Sequence, residues 1–431
     1  MLTYRGSRSS SPGRWHMDNA TTARRPAIEV IHADCVDVMA RLAEQGRVVH
    51  AIVTDPPYNL TSIIDRFGGD DAVETPFGSD GAFQRISRGF MGKTWDTDIA
   101  FRKATWRLAW DLLPPGGHLG AFGGTRTWHR MAVAIEDAGF EIRDCLAWLY
   151  GSGWPKSHDV SKSIVKLLGP GPVAAQWEGW GTALKPAWEP IVLARKPIWS
   201  SVPRNVLRYL TGGLNIDASR VPLAPDDRLH QGVKGDGQPV ERASREGEWG
   251  FRAVDRQPGL DRWPANVLHD GSDEVEEAFA AFGADKGARA PVRGDEPSAT
   301  TKNAFGDRKR VSGAFHGDRG TASRFFYSAK AGENDRAGSE HPTVKPLALM
   351  QWLVRLMTPP GGTVLDPFSG SGSTLEAAFR EGFDAIGIEA DATYYGDIKR
   401  RLAERCGGEV ALARPPAAPP AKVSAGPLFD L

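Results

Sequence analysis

Cysteine is scarce in this chain of 431 residues, and Cys35, Cys145 and Cys406 stand far apart. The absence of Cys-x-x-Cys spacing argues against a disulfide framework and against a cysteine zinc site. No apolar run approaches the roughly 18 residues that a membrane-spanning helix needs. The first residues, "MLTYRGSRSSSPGRW", contain no apolar core of a signal peptide. We therefore expect a cytoplasmic protein without a membrane partner.

A net charge is also absent, since 53 Lys and Arg residues balance 53 Asp and Glu residues. This balance argues against binding of a polyanion through bulk charge, so the local distribution has to decide. Between 281 and 330, ten Lys or Arg residues face five Asp or Glu residues. Such an excess fits either a solvated loop or a nucleic-acid contact. The histidines show no metal-ligand spacing such as His-Glu-x-x-His, so we expect no metal site.

Short apolar runs alternate with amphipathic segments on both sides of one irregular block. This alternation, over 28–210 and 336–406, predicts an α/β fold with a mainly parallel sheet and helices on both faces. Between 211 and 335, Gly, Asp, Arg and Pro dominate and no long helix or strand pattern persists. We interpret this block as an insertion, and 1–27 and 407–431 as disordered extensions. Met17 is a second candidate for the natural first residue.

The segment "TDPPYNL" directly follows the apolar run "HAIV", which we predict to be a strand. Ligands of open α/β sheets bind beyond the carboxyl ends of the strands, so Asp55 stands where a catalytic group is expected. Pro56 and Pro57 fix their own φ angles and restrict the residue before each, which makes a stiff turn. A tight turn with an Asx-type hydrogen bond is the purely structural alternative.

A second turn, "LDPFSGSGSTLEAA", joins the apolar run "TVL" to a predicted helix. Gly370 and Gly372 allow close approach of the backbone to a ligand, and the N-terminus of the helix favours electronegative groups. Glu389 ends the next predicted strand, where a carboxylate accepts hydrogen bonds from ribose hydroxyls. A full dinucleotide fingerprint and a phosphate-binding loop are both absent. An adenosine-containing ligand without phosphates therefore fits better than NAD or ATP.

Together the two turns suit methylation of a planar amino group. The amino group of adenine or cytosine shares its lone pair with the ring, which makes it a poor nucleophile. Hydrogen bonds from its two N–H groups to the Asp55 carboxylate and the Pro56 carbonyl would push the nitrogen toward a tetrahedral state, while Tyr58 stacks on the base. The methyl of S-adenosylmethionine is already activated, so alignment supplies much of the rate without a metal. A target base inside a duplex must be flipped out, at a cost of roughly a few kcal/mol.

Three segments, "TDPPYNL", "DPFSGSGST" and "HPTVKPLALM", resemble the DNA amino-methyltransferases in their beta arrangement, where the Asp-Pro-Pro-Tyr half precedes the cofactor half. "GSGWPKSHDVSKSI" and "GTALKPAWEPIVLARKP" are further similar to phage and prophage members. The resemblance covers about 28–210 and 320–405. It implies a circularly permuted class I methyltransferase fold, Rossmann-like, with a mainly parallel seven-stranded sheet. The block 211–335 would then be the target-recognition region, although it aligns with no recognition domain.

The resemblance also implies roles for individual residues. Asp34 matches the acid that contacts the cofactor adenine, and Thr343 and Lys345 match the segment against the methionine moiety. The catalytic loop corresponds to Asp55, Pro56, Pro57 and Tyr58. The residues matched to cofactor binding are Asp34, Asp55, Thr343, Lys345, Asp366, Phe368, Gly370, Gly372 and Glu389. In the loop "GSGWPKSH", Trp154 is a candidate for the base pocket, with a place in the core as the alternative.

We therefore predict a site-specific methyltransferase that moves a methyl group from S-adenosylmethionine to adenine N6 of a base flipped out of double-stranded DNA. Asp at position 55 favours adenine, because relatives that act on cytosine N4 more often carry Ser there. Methylation of cytosine N4 is the first alternative. Methylation of RNA or of a protein amide, and a catalytically silent DNA-binding protein, also stay open. So do a monomer or a homodimer, and the presence or absence of a cognate restriction enzyme.

Overall fold

The computed structural model describes 25–59, 98–153, 155, 157–223, 261–283, 321–329, 332, 334–339, 341, 343–407 and, for the backbone alone, 411–413. Several predictions fall outside these residues. Trp154 is one of them, and so are nearly all of the two extensions predicted at 1–27 and 407–431. Much of the block 211–335 is also outside the described residues.

The described secondary structure follows the predicted alternation of strands and helices. The strands are β1 (Ile28–His32), β2 (Ala51–Thr54), β3 (His118–Phe122), β4 (Glu141–Leu149), β5 (Trp188–Arg195), β6 (Val267–His269), β7 (Tyr327–Ser328), β8 (Thr363–Asp366), β9 (Asp384–Glu389) and β10 (Ala411–Ala413). The α-helices are α1 (Cys35–Glu44), α2 (Lys103–Leu112), α3 (Trp128–Asp137), α4 (Val160–Leu168), α5 (Pro172–Gln176), α6 (Val202–Tyr209), α7 (Asp273–Ala280), α8 (Leu347–Met357), α9 (Ser373–Arg380) and α10 (Ala392–Cys406). Short 3₁₀ turns occupy Ile99–Phe101, Asp217–Ser219 and Ala322–Phe325.

Local sequence explains where several of these elements begin and end. Asp34 and Asp391 cap α1 and α10, because each side chain accepts hydrogen bonds from backbone N–H groups of the first turn. The helices α2 and α8 both end shortly before a Pro-Pro-Gly-Gly segment, since proline disfavours helical backbone in the residue before it. Each of these segments then leads into a strand, so both are helix-to-strand connections, as predicted.

All described strands form one sheet in the order β10-β1-β9-β8-β2-β3-β5-β4-β6-β7. The two strands from the C-terminal part of the chain, β8 and β9, lie between β1 and β2 and pair with them in parallel. This placement is the permuted strand order that the family resemblance implied. The order also makes β2 and β8 direct neighbours, so the turns that follow them leave the sheet side by side.

One strand of the described sheet, β5, runs antiparallel to both of its neighbours. It pairs Ile191 with Phe122 of β3 and Arg195 with His118, so its first residues lie at the carboxyl ends of the parallel strands. A residue at the start of β5 therefore lies at the same edge of the sheet as Asp55, where the parallel strands end.

Two apolar cores cover the two faces of the sheet. One contains α8, α9 and α10, with Trp352, Leu375 and Ile398 fully buried. The other contains α1, α2 and α3, with Met39, Trp106 and Ile135 fully buried. Burial of apolar area on both faces is what stabilises a mainly parallel sheet. None of the helices in the described ranges is both long enough and apolar enough to span a membrane.

The sheet is wider than the seven strands that the resemblance implied. Two short strands of the block 211–335, β6 and β7, add in parallel beside β4, and β10 adds beside β1. Both outer strands of the seven-stranded core would otherwise leave backbone N–H and C=O groups unpaired. The block therefore contributes to the sheet, which its irregular composition did not predict. Its two strands have only three and two residues, too few for a recognisable alternation of side chains.

Candidate active site

A cavity of about 510 Å³ opens at the carboxyl ends of β1, β2, β8 and β9. This volume lies in the range of sites for small molecules and cofactors. Two turns form much of its wall: residues 55–58 after β2, here called the Asp55 turn, and residues 366–372 after β8, here called the Gly370 turn. The other lining residues are Ala33, Asp34, Cys35, Ile99, His341, Thr343, Lys345, Met350, Ser373, Thr374, Ile388, Glu389, Ala390, Asp391 and Tyr394.

The two turns are joined by a buried hydrogen bond. Thr54, the last residue of β2, donates from Oγ1 to Oδ1 of Asp366 over 2.6 Å. The same Asp366 oxygen accepts from the backbone N–H of Phe368 over 3.1 Å, which sets the direction of the Gly370 turn. Burial nevertheless raises the pKa of Asp366 to about 6, against the lowering effect of its hydrogen bonds. Asp366 thus joins the end of β2 to the Gly370 turn.

The Asp55 turn ends in a compact polar cluster of Asp55, Tyr58, Glu189 and Lys345. The Tyr58 hydroxyl is 2.8 Å from Oδ1 of Asp55 and 3.1 Å from Oε2 of Glu189. Nζ of Lys345 donates to Oδ2 of Asp55 over 2.7 Å, and it lies 3.2 Å from both the Tyr58 hydroxyl and Oε2 of Glu189. The four groups therefore hold one another in place through charge-assisted hydrogen bonds.

Lys345 is the most buried member of this cluster, with a side chain that is 5% exposed. Burial alone would lower the pKa of its ammonium group, but the carboxylates of Asp55 and Glu189 outweigh burial and the pKa is raised. Burial and the same two carboxylates raise the pKa of Tyr58 well above its usual value. Lys345 is therefore a fixed cation and Tyr58 a neutral hydrogen-bond donor at neutral pH.

The backbone of the Asp55 turn is anchored as firmly as its side chains. Thr127, just before α3, donates from Oγ1 to the carbonyl of Tyr58 over 2.8 Å. The two prolines between Asp55 and Tyr58 restrict the backbone further. The turn thus presents a carboxylate and an aromatic ring to the cavity with little freedom to move.

The Gly370 turn has a backbone that requires glycine at two positions. Gly370 and Gly372 have φ angles of 50° and 81°, in the left-handed region where other residues are strained. A side chain at Gly370 would also start 3.1 Å from Nε2 of His341, which lies against the turn. His341 and Gly370 therefore meet in the wall of the cavity.

Glu389, the last residue of β9, holds the Gly370 turn from the side of the cavity. Its Oε2 accepts from the N–H of Gly370 and its Oε1 from the N–H of Asp391, both over 2.7 Å. Burial raises the pKa of Glu389 to about 7 although both hydrogen bonds act to lower it. Each carboxylate oxygen has a second lone pair, so the group can still accept from a ligand hydroxyl.

Asp34 and His341 complete the opposite parts of the wall. Asp34 caps α1 by accepting from the N–H of Val36 over 2.8 Å, and it lines the cavity next to β1. His341 packs edge-on against Tyr394, and burial lowers its pKa to about 4, so its ring is neutral. Ser339 fixes this segment by donating to Oδ2 of Asp397 over 2.6 Å.

The structure brings nearly all of the predicted site residues to one place. The catalytic set and eight of the nine residues matched to cofactor binding line the cavity, and Gly372 lies within the Gly370 turn that forms its wall. Lys345 lines the cavity, where its ammonium group pairs with Asp55 and Glu189, and its place against the methionine moiety stays a prediction. Trp154 lies outside the described residues. No three His, Cys, Asp or Glu side chains among the described residues are arranged to hold a metal ion.

Sequence reasoning missed Glu189 and His341. Glu189 is a single acid within the apolar segment "AWEPIVLAR", and a parallel β5 would have placed it away from the site. Only the antiparallel direction of β5 brings it to Asp55. His341 had a clearer signal, since it begins the motif that contains Thr343 and Lys345.

Comparison with known proteins agrees with this geometry. The model of the N6/N4 DNA methylase family matches residues 49–400. The type II methyltransferase M.HindIII of Haemophilus influenzae is 25% identical over 187 residues, which are 39% of this chain and 59% of that protein. M.BglI of Bacillus subtilis is 46% identical over 59 residues, 14% of this chain and 17% of that protein. These matches each span less than two thirds of the curated relative.

Two solved structures match most of this chain at low sequence identity. M1.HpyAVI in complex with S-adenosylmethionine is 16% identical, with a TM-score of 0.39, over 87% of this chain and 98% of that chain. The cytosine-N4-specific PvuII DNA methyltransferase is 12% identical, with a TM-score of 0.37, over 88% of this chain and 89% of that chain.

Because the family model covers most of the sequence, the chain belongs to the N6/N4 DNA methylase family. The predicted family is thereby confirmed. The predicted α/β methyltransferase fold, with its mainly parallel and permuted sheet, is confirmed as well. The roles of the individual site residues stay predictions.

Proposed function

We propose that this chain transfers a methyl group from S-adenosylmethionine to the N6 amino group of adenine in double-stranded DNA. The observation that carries the proposal is the position of the Asp55 carboxylate, in the wall of a cavity whose other main wall is a glycine turn held by Glu389. One wall suits a nucleoside and the other suits an amino group. Methyl transfer requires both groups in one cavity.

The residues of the cavity fit the parts of S-adenosylmethionine. Glu389 and Asp34 supply carboxylates for the ribose hydroxyls and for the adenine, and Phe368 offers an apolar ring beside them. The left-handed backbone at Gly370 and Gly372 lets the turn approach a ligand closely. When bound, this cofactor would supply an electrophilic methyl on a sulfonium, which needs no activation by a metal.

On the acceptor side, the chain has to make a weak nucleophile more reactive. The Asp55 carboxylate and the Pro56 carbonyl would accept hydrogen bonds from the two N–H groups of the target base, so that electron density returns to the nitrogen. Tyr58 would stack on the base plane. The stiffness of the Asp55 turn means that these acceptors are already oriented before the base arrives, which lowers the cost of reaching the transition state.

Adenine is favoured over cytosine because position 55 carries Asp rather than Ser. Cytosine N4 methylation uses the same donor cavity and the same acceptor geometry, so it is the second candidate. Double-stranded DNA is the expected substrate because of the family to which the chain belongs. The block 211–335, which contributes β6 and β7 to the sheet, is the proposed target-recognition region.

The test is to incubate the purified chain with unmethylated DNA and S-adenosylmethionine carrying an isotopic methyl label, and then to digest the DNA and analyse the nucleosides by mass spectrometry. Labelled N6-methyladenine is the expected product. Labelled N4-methylcytosine would replace adenine with cytosine as the target. If neither base is labelled while the cofactor binds, the target is a DNA sequence absent from the sample, RNA or protein, and each has to be tested with the same label.

A further inference from the structure

We propose that Glu189 is a positioning residue for methyl transfer, which accepts the hydrogen bond of the Tyr58 hydroxyl when the target amino group binds to Asp55. This inference rests on the proposed function. It assigns a task to a residue that the catalytic motif does not contain.

The Asp55 carboxylate already accepts hydrogen bonds from two side chains. The Tyr58 hydroxyl is 2.8 Å from Oδ1 of Asp55, while Lys345 donates to Oδ2 of the same carboxylate over 2.7 Å. Both Asp55 oxygens thus already accept a hydrogen bond before a base is present. An incoming N–H group can use the second lone pair of an oxygen, but it then shares that oxygen with Tyr58 or Lys345, which weakens the hydrogen bond that it can form.

Lys345 is the less suitable group to give way. Its ammonium group is buried, and loss of its contact with Asp55 would leave a buried charge with weaker compensation. The Tyr58 hydroxyl has a single proton and a choice of two carboxylates, since Oε2 of Glu189 lies 3.1 Å away. A small rotation of this proton would release Oδ1 of Asp55 without breaking any heavy-atom contact.

Glu189 is itself held where this exchange needs it. Nζ of Lys345 lies 3.2 Å from its Oε2, and the antiparallel β5 keeps its backbone beside β3. The Tyr58 hydroxyl oxygen also accepts a hydrogen bond from Nζ of Lys345 over 3.2 Å. This bond holds the oxygen in place while the O–H turns from one carboxylate to the other. The Tyr58 proton therefore finds a charged acceptor in either position.

The substitution Glu189→Gln tests this exchange with little change in shape. A neutral amide is a weaker acceptor than a carboxylate. The Tyr58 hydroxyl would therefore keep its hydrogen bond to Asp55, which opposes binding of the amino group. We expect kcat to fall by about tenfold while the Kd for S-adenosylmethionine changes by less than about twofold. The matched control is Glu141→Gln, which removes a carboxylate paired with Arg195 at the far end of β5 and should leave kcat unchanged.

A double-mutant cycle with Tyr58→Phe separates this role from a structural one. Without the hydroxyl there is no hydrogen bond to redirect, so Glu189→Gln should lower kcat by less than about twofold in the Tyr58→Phe background. Equal effects of Glu189→Gln in both backgrounds, or an unchanged kcat in the single variant, would overturn the inference. Absence of methyl transfer by the wild-type chain would instead reject the proposed function, and the inference with it.

Discussion

The Asp55 turn and the Gly370 turn leave neighbouring parallel strands on the same side of the sheet, yet their backbones have opposite properties. The first is stiffened by two prolines, and its work is done by side chains that are locked into hydrogen bonds. The second requires glycine, because its backbone is left-handed at Gly370 and Gly372. In the proposed reaction, the first turn orients a hydrogen-bond acceptor and the second provides room for the cofactor.

This difference predicts that activation of the target amino group and binding of the cofactor can be lost separately. Asp55→Ala should lower methyl transfer by at least about 100-fold, because the target amino group loses its charged acceptor. The Kd for S-adenosylmethionine should change by only a few fold, as measured by calorimetry. The thermal unfolding of the variant serves as a control for folding, since Lys345 keeps Glu189 as a partner. Retained turnover would contradict the role of Asp55.

The reverse experiment acts on the Gly370 turn. Gly370→Val should weaken binding of S-adenosylmethionine by about 100-fold, because a side chain is strained at a φ of 50° and starts 3.1 Å from His341. The matched control is Gly382→Val, which has a similar φ of 84° but open space around it and does not line the cavity. It should lower stability without a change in Kd. Equal affinities of the two variants would show that the cofactor lies elsewhere.

The pH dependence of binding sharpens the comparison, because it isolates the Gly370 turn. Burial raises the pKa of Glu389 to about 7, so below this value its carboxylate takes up a proton and can no longer accept from both ribose hydroxyls. Affinity for the cofactor should therefore fall by up to about tenfold per pH unit below 7. His341 is neutral throughout this range, since its pKa is lowered to about 4. The variant Glu389→Gln should bind weakly and keep only the dependence below about 6 that follows from Asp366, whose pKa is raised to about 6.

The same raised pKa has a consequence for stability. The folded chain binds a proton at Glu389 more readily than the unfolded chain does. The contribution of Glu389 to the free energy of unfolding therefore becomes less favourable for the folded state as the pH rises from about 4.5 to about 7. This sign is the reverse of that for a salt-bridged carboxylate. A charged Glu389 carboxylate in the cavity therefore lowers the stability of the folded chain at neutral pH.

The smallest expected effect concerns the link between the two turns. Thr54→Val removes the buried hydrogen bond to Asp366 and should lower the free energy of unfolding by about 1–3 kcal/mol, since Asp366 loses one of its partners. Thr54→Ser, which keeps the hydroxyl, should recover most of this loss. Denaturant unfolding measures both. Equal stability of the three proteins would mean that the turns are positioned independently of this bond.

Much of this arrangement could be predicted from sequence because it is local. The Asp-Pro-Pro-Tyr and Gly-x-Gly turns each follow an apolar strand, so their place on the sheet follows from strand direction alone. Their proximity followed from the family resemblance, which implies the permuted strand order. The strand that carries Glu189 shows why the rest could not be predicted. The direction of β5 depends on contacts with β3 and β4, which no local pattern contains.

The widening of the sheet has a similar cause. The strands β6 and β7 are short, and their pairing depends on the open side of β4 rather than on their own sequence. Lys345 teaches the same lesson at the level of one side chain. Its motif placed it at the cavity, but only the tertiary structure shows that it bridges the carboxylates of Asp55 and Glu189.

We propose above all that one cavity holds the cofactor on the Gly370 turn with its methyl group directed at an amino group held by the rigid Asp55 carboxylate. A crystal structure of the chain with S-adenosylmethionine bound tests it most directly. We predict that the ribose hydroxyls contact Glu389, that the adenine lies toward Asp34, and that the methyl group points toward Asp55. A cofactor bound outside this cavity, or a methyl group directed away from Asp55, would contradict the account.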